Sequence, residues 1–179
     1  MAAEAILRSS LVKTADSKSS AVSGHISFVK TCSHQSQFRT VQSAFKKMLV
    51  PIYGDQKSAI AKIKEGLDRV CEVMSKYDNP LGIIVYKNRL QNEYGLKNAL
   101  ELKSLFLFNP DTNSGYGFGS RLFQRIDEVA EEMGTNTIYC TASSKVGNSI
   151  KCALKNGYKI KRILEQNEER ILYLLVKEL

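Results

Sequence analysis

The sequence contains no tryptophan, three prolines and two histidines, His25 and His34. With so few histidines, reactions that need a histidine base or several imidazole ligands have little support. The four cysteines lie far apart along the chain and form no C-x-x-C pair. This spacing argues against a zinc site and against a disulfide framework. We therefore expect no metal, and free thiols in a reducing, cytoplasmic compartment.

Long apolar runs are also absent. No stretch reaches the roughly eighteen apolar residues that a membrane-spanning helix needs, so we expect no membrane partner. The length of 179 residues and the 43% of apolar residues fit one globular domain. Residues 1–24 are rich in Ser and Ala and lack the apolar run of a secretory signal, and Glu4 and Asp16 argue against a transit peptide. We predict a disordered leader over 1–24 and a folded domain over 25–179.

Acidic residues are the scarcer charged class, with 18 against 26 Lys and Arg, which leaves a net charge of +8. The excess is concentrated in two segments. Residues 30–69 contain eight basic and three acidic side chains. Residues 136–165 contain six basic side chains and one acidic side chain. Such segments favour an anionic partner, either a phosphate-bearing cofactor or nucleic acid, although a plain lysine-rich surface is the simpler alternative.

Hydrophobic periodicity predicts the element order β-α-α-β-β-β-α-β-α-β-β. A strand over 25–32 is followed by two helices between residues 38 and 67. Strands 70–74 and 81–86 form a hairpin whose turn we place at Asp78, Asn79 and Pro80. A strand over 100–108 becomes wholly apolar after Ser104, so we expect its second half to be buried on both faces.

The second half of the chain continues the alternation of strands and helices. An amphipathic helix ends at Gly134, TIYCTAS forms a strand, and a helix over 149–156 is closed by Gly157. The last hairpin pairs residues 158–164 with 170–176. We predict one mixed α/β sheet of six to seven strands with helices on both faces.

Three glycines at alternate positions, Gly115, Gly117 and Gly119, lie in the stretch SGYGFGSRLF between a buried strand and an amphipathic helix. Glycine lets the backbone approach a ligand, and the first N–H groups of a helix bind anions. The loop is not a Walker A motif or G-x-G-x-x-G, because no Lys-Ser/Thr follows and Leu122 stands at the third glycine position. Taken alone, the glycines predict either a flexible structural loop or an anion site.

Residues 105–134 resemble motif A of the GNAT superfamily of acyl-CoA-dependent N-acyltransferases. The matching pieces are SLFLFNP, GYGFGSRLF and a helix that ends in EEMG, and KNGY at 155–158 is similar to the segment before the family's sixth strand. The resemblance implies a single GNAT-like domain. It also implies that acetyl-CoA or a related acyl-CoA is the co-substrate and that a primary amine attacks the thioester directly.

The resemblance further implies which residues contact CoA, through backbone N–H groups at the thioester and at the pyrophosphate. These cofactor-binding residues are Leu105, Phe106, Leu107, Gly115, Tyr116, Gly117, Phe118, Gly119, Ser120, Arg121 and Asn148. Asn148 lies two positions later than the family's asparagine, and a helix cap is the role we favour for it. Cys140 and Cys152 are expected to be core residues.

Two positions depart from the family pattern. Ser114 stands where Arg or Gln is usual, three residues before the first motif glycine, which leaves the pyrophosphate to backbone amides and to Arg121 or a nearby lysine. Ala153 stands at the position of the family's frequent tyrosine acid. Tyr139, Tyr116 or water would then protonate the departing thiolate.

The attacking amine also has to lose a proton, because an amine with a pKa near 10.4 is neutral in only about one part in two thousand at pH 7. Glu101 stands where some GNAT enzymes have a catalytic glutamate, and the resemblance implies that it is the base. An ion pair with Lys103 is the alternative role. The expected catalytic residues are therefore Glu101 and Tyr139.

The acceptor stays open at this stage. A small-molecule or protein amine is favoured over aminoacyl-tRNA, the acceptor of toxin-type acetyltransferases, and the protein is expected to be a monomer or homodimer. The candidates for contacting an anionic acceptor are Lys46, Lys47, Lys57, Lys62 and Lys64, and those for CoA phosphates are Lys145, Lys151 and Lys155. A function of a different class is a CoA-binding or partner-binding module that has little or no catalytic activity.

Overall fold

The computed structural model describes residues 25–31, 69–87, 92–113 and 115–179, with the single residues 43, 50, 54, 55, 57 and 90 between them. The leader predicted over 1–24 lies outside these residues. So do the two helices predicted between residues 38 and 67, apart from the single positions named. In the part of the chain that is described, no helix is long and apolar enough to cross a membrane.

Seven strands form one mixed sheet in the order β1-β2-β3-β4-β5-β7-β6. The strands are β1 (Ile26–Thr31), β2 (Arg69–Lys76), β3 (Asn79–Lys87), β4 (Ala99–Leu107), β5 (Thr137–Ser143), β6 (Lys159–Gln166) and β7 (Ile171–Glu178). The first four strands form an antiparallel meander, β4 and β5 are parallel, and β7 is antiparallel to both of its neighbours. The predicted mixed sheet is confirmed.

Besides the single helical residues 43, 50 and 57, three helices accompany the sheet in the described residues. They are α1 (Pro110–Asn113), α2 (Phe118–Glu132) and α3 (Gly147–Lys155), the last preceded by a 3₁₀ turn, Ser144–Val146. The short α1 was not predicted. Leu122 and Ile126 of α2 and Ala153 of α3 share one core with the sheet, so both helices cover the same face.

The opposite face is covered as well. Val50, a helical residue, packs against Val73, Ile83 and Phe108, which project from the side of the sheet away from α2. This agrees with the prediction of helices on both faces. The order of the described elements otherwise follows the prediction, and β5 coincides with the predicted TIYCTAS strand.

The predicted turn of the first hairpin was wrong. Tyr77 and Asp78 alone form the turn, with φ angles of 50° and 63°, and Asn79 and Pro80 are the first residues of β3. A two-residue turn with both φ angles positive matches the twist of the strands that it joins, and Pro is tolerated at the start of a strand.

The predicted burial of β4 was also wrong. The buried residues are the first four, from Ala99 to Leu102, and the second half of the strand is only half-buried. The reason is that β4 pairs with β5 only from Ala99 to Glu101, opposite residues 137–139. Beyond Glu101 the two strands separate, and this edge of β4 no longer pairs with β5.

Candidate active site

The separation of β4 from β5 creates a V-shaped opening, which we call the fork. Its apex is the last pair, Glu101 of β4 and Tyr139 of β5. β4 keeps its antiparallel partner β3 on the other side as far as Leu107. The fork therefore exposes one edge of β4 inside the sheet, where backbone groups have no strand to pair with.

A β-bulge in β4 lies directly after the apex. Val85 of β3 lies opposite Ser104, and the next residue, Tyr86, lies opposite Leu102. Lys103 is thus the extra residue on β4. Because a bulge bends its strand and increases the local twist, we attribute the divergence of β4 from β5 to this residue.

The bulge also reverses which residues of β4 face α2. Before it, Leu100 and Leu102 belong to the core shared with α2, and after it Leu105 and Leu107 do. Phe106 instead packs on the opposite face. If the alternation of side chains along a strand is continued past a bulge, every later side chain is assigned to the wrong face. The alternation in the sequence therefore could not predict which residues of β4 face α2.

The backbone amides of β4 alternate in direction along the fork. The Phe108 N–H donates to the Leu81 carbonyl oxygen at 2.8 Å, toward β3. In an antiparallel ladder every second residue points the same way, so Phe106 also faces β3. Leu105 and Leu107 therefore point their N–H groups into the fork. Two of the three expected amides face the opening.

The glycine loop leads into α2 at the same end of β4. Gly117 is the N-cap residue of α2 and has a left-handed φ of 79°, a conformation that favours glycine, and its carbonyl oxygen accepts the Arg121 N–H at 3.0 Å. The preceding helical N–H groups, which have no acceptor within the helix, belong to Phe118, Gly119 and Ser120. The first turn carries no acidic side chain. The helix end is therefore a site of positive potential.

The helix end is also open above the strand. A Cβ atom added to Gly119 would meet only Leu107 Cδ1, at 3.9 Å. The exposed Tyr116 lies beside Phe118, with ring centroids 6.0 Å apart. An open pocket of about 320 Å³ adjoins the loop, and its lining residues are Lys76, Leu81, Thr112, Asn113, Tyr116 and Phe118.

Arg121 does not extend toward the helix end. Its Nη1 donates to Glu128 Oε1 at 2.6 Å, and its guanidinium lies 5.1 Å from the centroid of the Phe28 ring. Both contacts draw the side chain along α2, away from the glycines. An anion at the loop would be bound chiefly by backbone amides.

Glu101, at the apex of the fork, is buried and accepts three hydrogen bonds. Lys103 Nζ donates to Oε1 at 2.7 Å, and Oε2 accepts from Lys87 Nζ at 2.7 Å and from the Tyr139 hydroxyl at 2.8 Å. Burial alone would raise the pKa of Glu101, but the donors, first of all Lys103, hold it below its usual value. The carboxylate is ionised near neutral pH. The ion pair with Lys103 considered from the sequence is present.

Tyr139 is buried on the same face as Glu101, opposite α2. Burial, and then the hydrogen bond to Glu101, raise the pKa of Tyr139 well above its ordinary value, so it remains protonated. The Tyr94 ring packs edge-on against it at 5.6 Å, and Arg162 lies 5.7 Å from the Tyr94 ring centroid. The apex thus combines a neutral hydroxyl donor with an ionised carboxylate.

The remaining candidates occupy separate places. Asn148 is the second residue of α3 and is exposed; the N-cap of that helix is Val146, without a side-chain cap, so the expected capping role was wrong. Cys152 is exposed, not in the core, because Ala153 and Ile150 form the buried face of α3. Burial raises the pKa of the Cys140 thiol to about 12, which keeps it un-ionised.

Solved structures with a similar fold include proteins described as acetyltransferases. An aminoglycoside 6′-N-acetyltransferase crystallised with coenzyme A aligns with a TM-score of 0.63 at 15% identity, over 85% of this chain and 96% of that one. A Desulfovibrio desulfuricans protein assigned to the GNAT family aligns with a TM-score of 0.63 at 10% identity, over 86% and 99%. An aminoglycoside 6′-N-acetyltransferase of Enterococcus faecium aligns with a TM-score of 0.60 at 14% identity, over 85% of this chain and 96% of that one.

This chain has the GNAT fold. Neither a protein-family model nor a curated protein matches its sequence. At these identities the likeness is one of architecture, and it extends over nearly the whole length of each of these three solved structures. The fold expected from motif A is therefore confirmed.

Lys87 and Tyr94 also lie at the apex, although the sequence did not predict them there. Lys87 is the last residue of β3 and meets Glu101 only through the pairing of β3 with β4. Tyr94 comes from the loop between these strands. Neither carries a local signal, because both are brought to the apex by the sheet register.

The described lysines among those named as anion contacts are all exposed. Lys57 is exposed, and the other four of the first group lie outside the described residues. Lys151 and Lys155 are exposed on α3, while Lys145 pairs with Glu169 at 3.1 Å. Among the described residues, no three His, Cys, Asp or Glu side chains lie close enough together to hold a metal ion.

Proposed function

We propose that the protein is an acyl-CoA-dependent N-acyltransferase, with acetyl-CoA as the co-substrate and a primary amine as the acceptor. The observation that carries the proposal is the fork, whose open edge of β4 adjoins a helix end without acidic residues. Two of the solved neighbours are aminoglycoside 6′-N-acetyltransferases, and one of them was crystallised with coenzyme A, which supports the same class of reaction here.

The first turn of α2 would hold the CoA pyrophosphate. Two or three N–H groups face the same side, and each bond from a backbone N–H to a charged oxygen contributes about 1.5–3 kcal/mol. The helix dipole adds about 0.3–1 kcal/mol. The open space at Gly119 fits a ligand that approaches the backbone closely. Asn148, exposed at the start of α3, would contact the pantetheine arm.

The amides of Leu105 and Leu107 would polarise the thioester carbonyl. When the amine attacks, negative charge develops on the carbonyl oxygen, and donors that are already directed at that position stabilise it without reorganisation. Both amides belong to a strand that is held on its other edge by β3. The rigidity of that strand is what makes them suitable donors.

Proton transfer would run through the apex. A glutamate with a lowered pKa is a weak base, but the ammonium groups of Lys87 and Lys103 also lower the pKa of an amine beside them. We propose that Glu101 receives the proton of the amine. It then passes that proton to the Tyr139 oxygen as the Tyr139 hydroxyl proton moves to the departing thiolate.

The test is an assay for transfer that follows both products. Acetyl-CoA is incubated with the protein and a panel of amines, free CoA thiol is measured, and acetylated amines are identified by mass spectrometry. Equal amounts of thiol and acetylated amine are expected. Absence of transfer to every amine, together with absence of CoA binding, would overturn the proposal.

A CoA-binding module without catalysis is the second candidate. Ala153 is buried in the core at the position where the resemblance implies a tyrosine acid. If no other group protonates the thiolate, CoA binds and no transfer follows. Tight CoA binding without thiol release across the whole amine panel would favour this candidate.

A further inference from the structure

The apex of the fork carries more positive than negative charge. Lys87 and Lys103 both donate to Glu101, so two ammonium groups share one carboxylate. Each ammonium has three N–H donors and uses one of them on Glu101. The side chains of Lys87 and Lys103 are 20% and 26% exposed, whereas that of Glu101 is 6% exposed. The accessible part of this cluster is cationic.

The cluster lies where an acceptor would meet the thioester. Glu101 is the last paired residue before the fork, and Lys103 is the bulge residue from which the open edge of β4 begins. Glu101 and Tyr139 belong to the face of the sheet away from α2, opposite the end proposed to hold CoA. An acceptor that enters from this face passes the two ammonium groups.

The rings of Tyr94 and Tyr139 form an aromatic wall beside the cluster, and a third cationic side chain, Arg162, contacts this wall. Arg162 lies over the Tyr94 ring, and its Nη2 is 3.5 Å from the Tyr94 carbonyl oxygen. Arg162 comes from β6, and Glu93 forms a hydrogen bond with the same Tyr94 side chain. With Lys87 and Lys103, three cationic side chains therefore stand against two anionic ones, Glu93 and Glu101, at this wall. A purely cationic acceptor, such as an amine with no other charge, would be repelled here.

We propose that the acceptor carries an anionic group, a carboxylate or a phosphate, a few bonds from its primary amine, and that Lys87 and Lys103 bind this group. This inference rests on the proposed function, since it assigns the acceptor class of the same site. Binding of the anion leaves the amine beside the fork. Glu101 keeps the two ammonium groups apart and oriented.

The experiment measures acceptor binding with the CoA site already filled. The protein is saturated with CoA, whose own binding is recorded first by calorimetry. Matched pairs are then titrated: O-phosphoethanolamine against ethanolamine for phosphate, and β-alanine against 3-aminopropanol for carboxylate. NMR resonances of the lysine side chains show whether the ligand contacts Lys87 and Lys103. We expect the anionic member of at least one pair to bind about 10- to 100-fold more tightly, as for a charge-assisted hydrogen bond that is gained.

Variants assign the discrimination to the two lysines. In Lys87→Gln and Lys103→Gln, the preference for the anionic member should fall to within about threefold, whereas Lys161→Gln, which changes an exposed lysine of β6, should retain it. CoA affinity measured on each sample reports that the variant is folded. The ratio of the affinities for the anionic and the neutral member is compared in each variant. A substitution that weakens binding of both members equally leaves this ratio unchanged.

The outcomes separate the two proposals. Failure of CoA to bind overturns the proposed function. If CoA binds but the protein has equal affinity for the anionic and the neutral amine of each pair, the inference alone is overturned. A preference for the anionic amine that survives when both Lys87 and Lys103 are changed to Gln also overturns it. A preference for the phosphate pair alone identifies a phosphorylated acceptor, and a preference for the carboxylate pair identifies an amino acid-like one.

Discussion

At the scale of single residues, the apex of the fork is the most constrained part of the proposed site. Glu101 and Tyr139 are buried, bonded to each other at 2.8 Å, and held by a strand pairing that ends at this point. Their chemistry is set by different causes. The lysines keep Glu101 ionised, and burial keeps Tyr139 protonated.

Removing the hydroxyl of Tyr139 tests the proton relay. We expect Tyr139→Phe to lose about 1 kcal/mol of stability, from one hydrogen bond, and to slow acetyl transfer about 100-fold with unchanged CoA affinity. Tyr94→Phe is the matched control, because the Tyr94 ring supports Tyr139 while its hydroxyl bonds to Glu93. Transfer at the wild-type rate in Tyr139→Phe would contradict the relay.

The lowered pKa of Glu101 predicts how stability depends on pH. A carboxyl whose pKa is lower in the folded state stabilises the protein above the pKa that it has when unfolded, about 4.3. That contribution is lost as the pH falls through the folded pKa. The stability difference between wild type and Glu101→Gln should therefore be largest near pH 7 and shrink below about pH 4. Urea unfolding of both proteins from about pH 7 to below about pH 4 measures this stability difference. A difference that does not change with pH would contradict the prediction.

At this scale the sequence predicted the candidate residues and the ion pair of Glu101 with Lys103, but not the other partners. Glu101 was named because the resemblance implies a catalytic glutamate at its place, and Tyr139 because Ala153 stands at the position of the family's tyrosine acid. Lys87 could not be named, since its contact with Glu101 depends on the register of β3 against β4. Arg121 was expected near the phosphate, and its ion pair with Glu128, a contact along the helix, was not considered.

At the scale of elements, the positions of β4 and α2 determine the site. The sequence predicted both elements correctly in type, because an apolar run followed by glycines and a 3.6-residue period is a strong local signal. It did not predict the bulge at Lys103, since a bulge depends on pairing with β3 and leaves no pattern in one strand. The fork, and with it the exposed amides of Leu105 and Leu107, depends on that bulge.

A negative charge at the start of α2 tests the proposed phosphate site. In Gly119→Glu the Cβ has room and the carboxylate lies at the positive helix end, so we expect unchanged or slightly higher stability. CoA affinity should fall by at least about tenfold, because a carboxylate repels the pyrophosphate. Gln124→Glu adds the same charge on the exposed side of the same helix and should bind CoA normally. Equal affinities in the two variants would place the phosphate elsewhere.

At the scale of the whole molecule, a buried ion network joins the helix layer to the sheet. Glu72 of β2 is 1% exposed and accepts from Arg125 of α2 at 2.8 Å and from the Tyr86 hydroxyl at 2.8 Å. Arg125 also contacts Phe28 of β1 and Glu132 of its own helix. The network ties α2, and therefore the glycine loop, to three strands.

Breaking this network should destabilise the fold as a whole. Arg125→Met leaves Glu72 buried without its cation, and we expect a loss of about 3–5 kcal/mol in the free energy of unfolding. Glu132→Gln removes an ion pair to a side chain that is 55% exposed and should cost less than about 1 kcal/mol. Urea denaturation compares the two variants. Similar losses would show that the buried pair adds little.

The whole account depends on acyl-CoA binding at the fork, and titration calorimetry of acetyl-CoA into the full chain tests this most directly. We predict one site per chain, with a Kd in the range of about 1 µM to 1 mM that is usual for enzyme substrates. Affinity should also fall as salt is raised, since phosphate charges contribute to binding. Absence of a heat of binding up to about 1 mM acetyl-CoA would contradict the account.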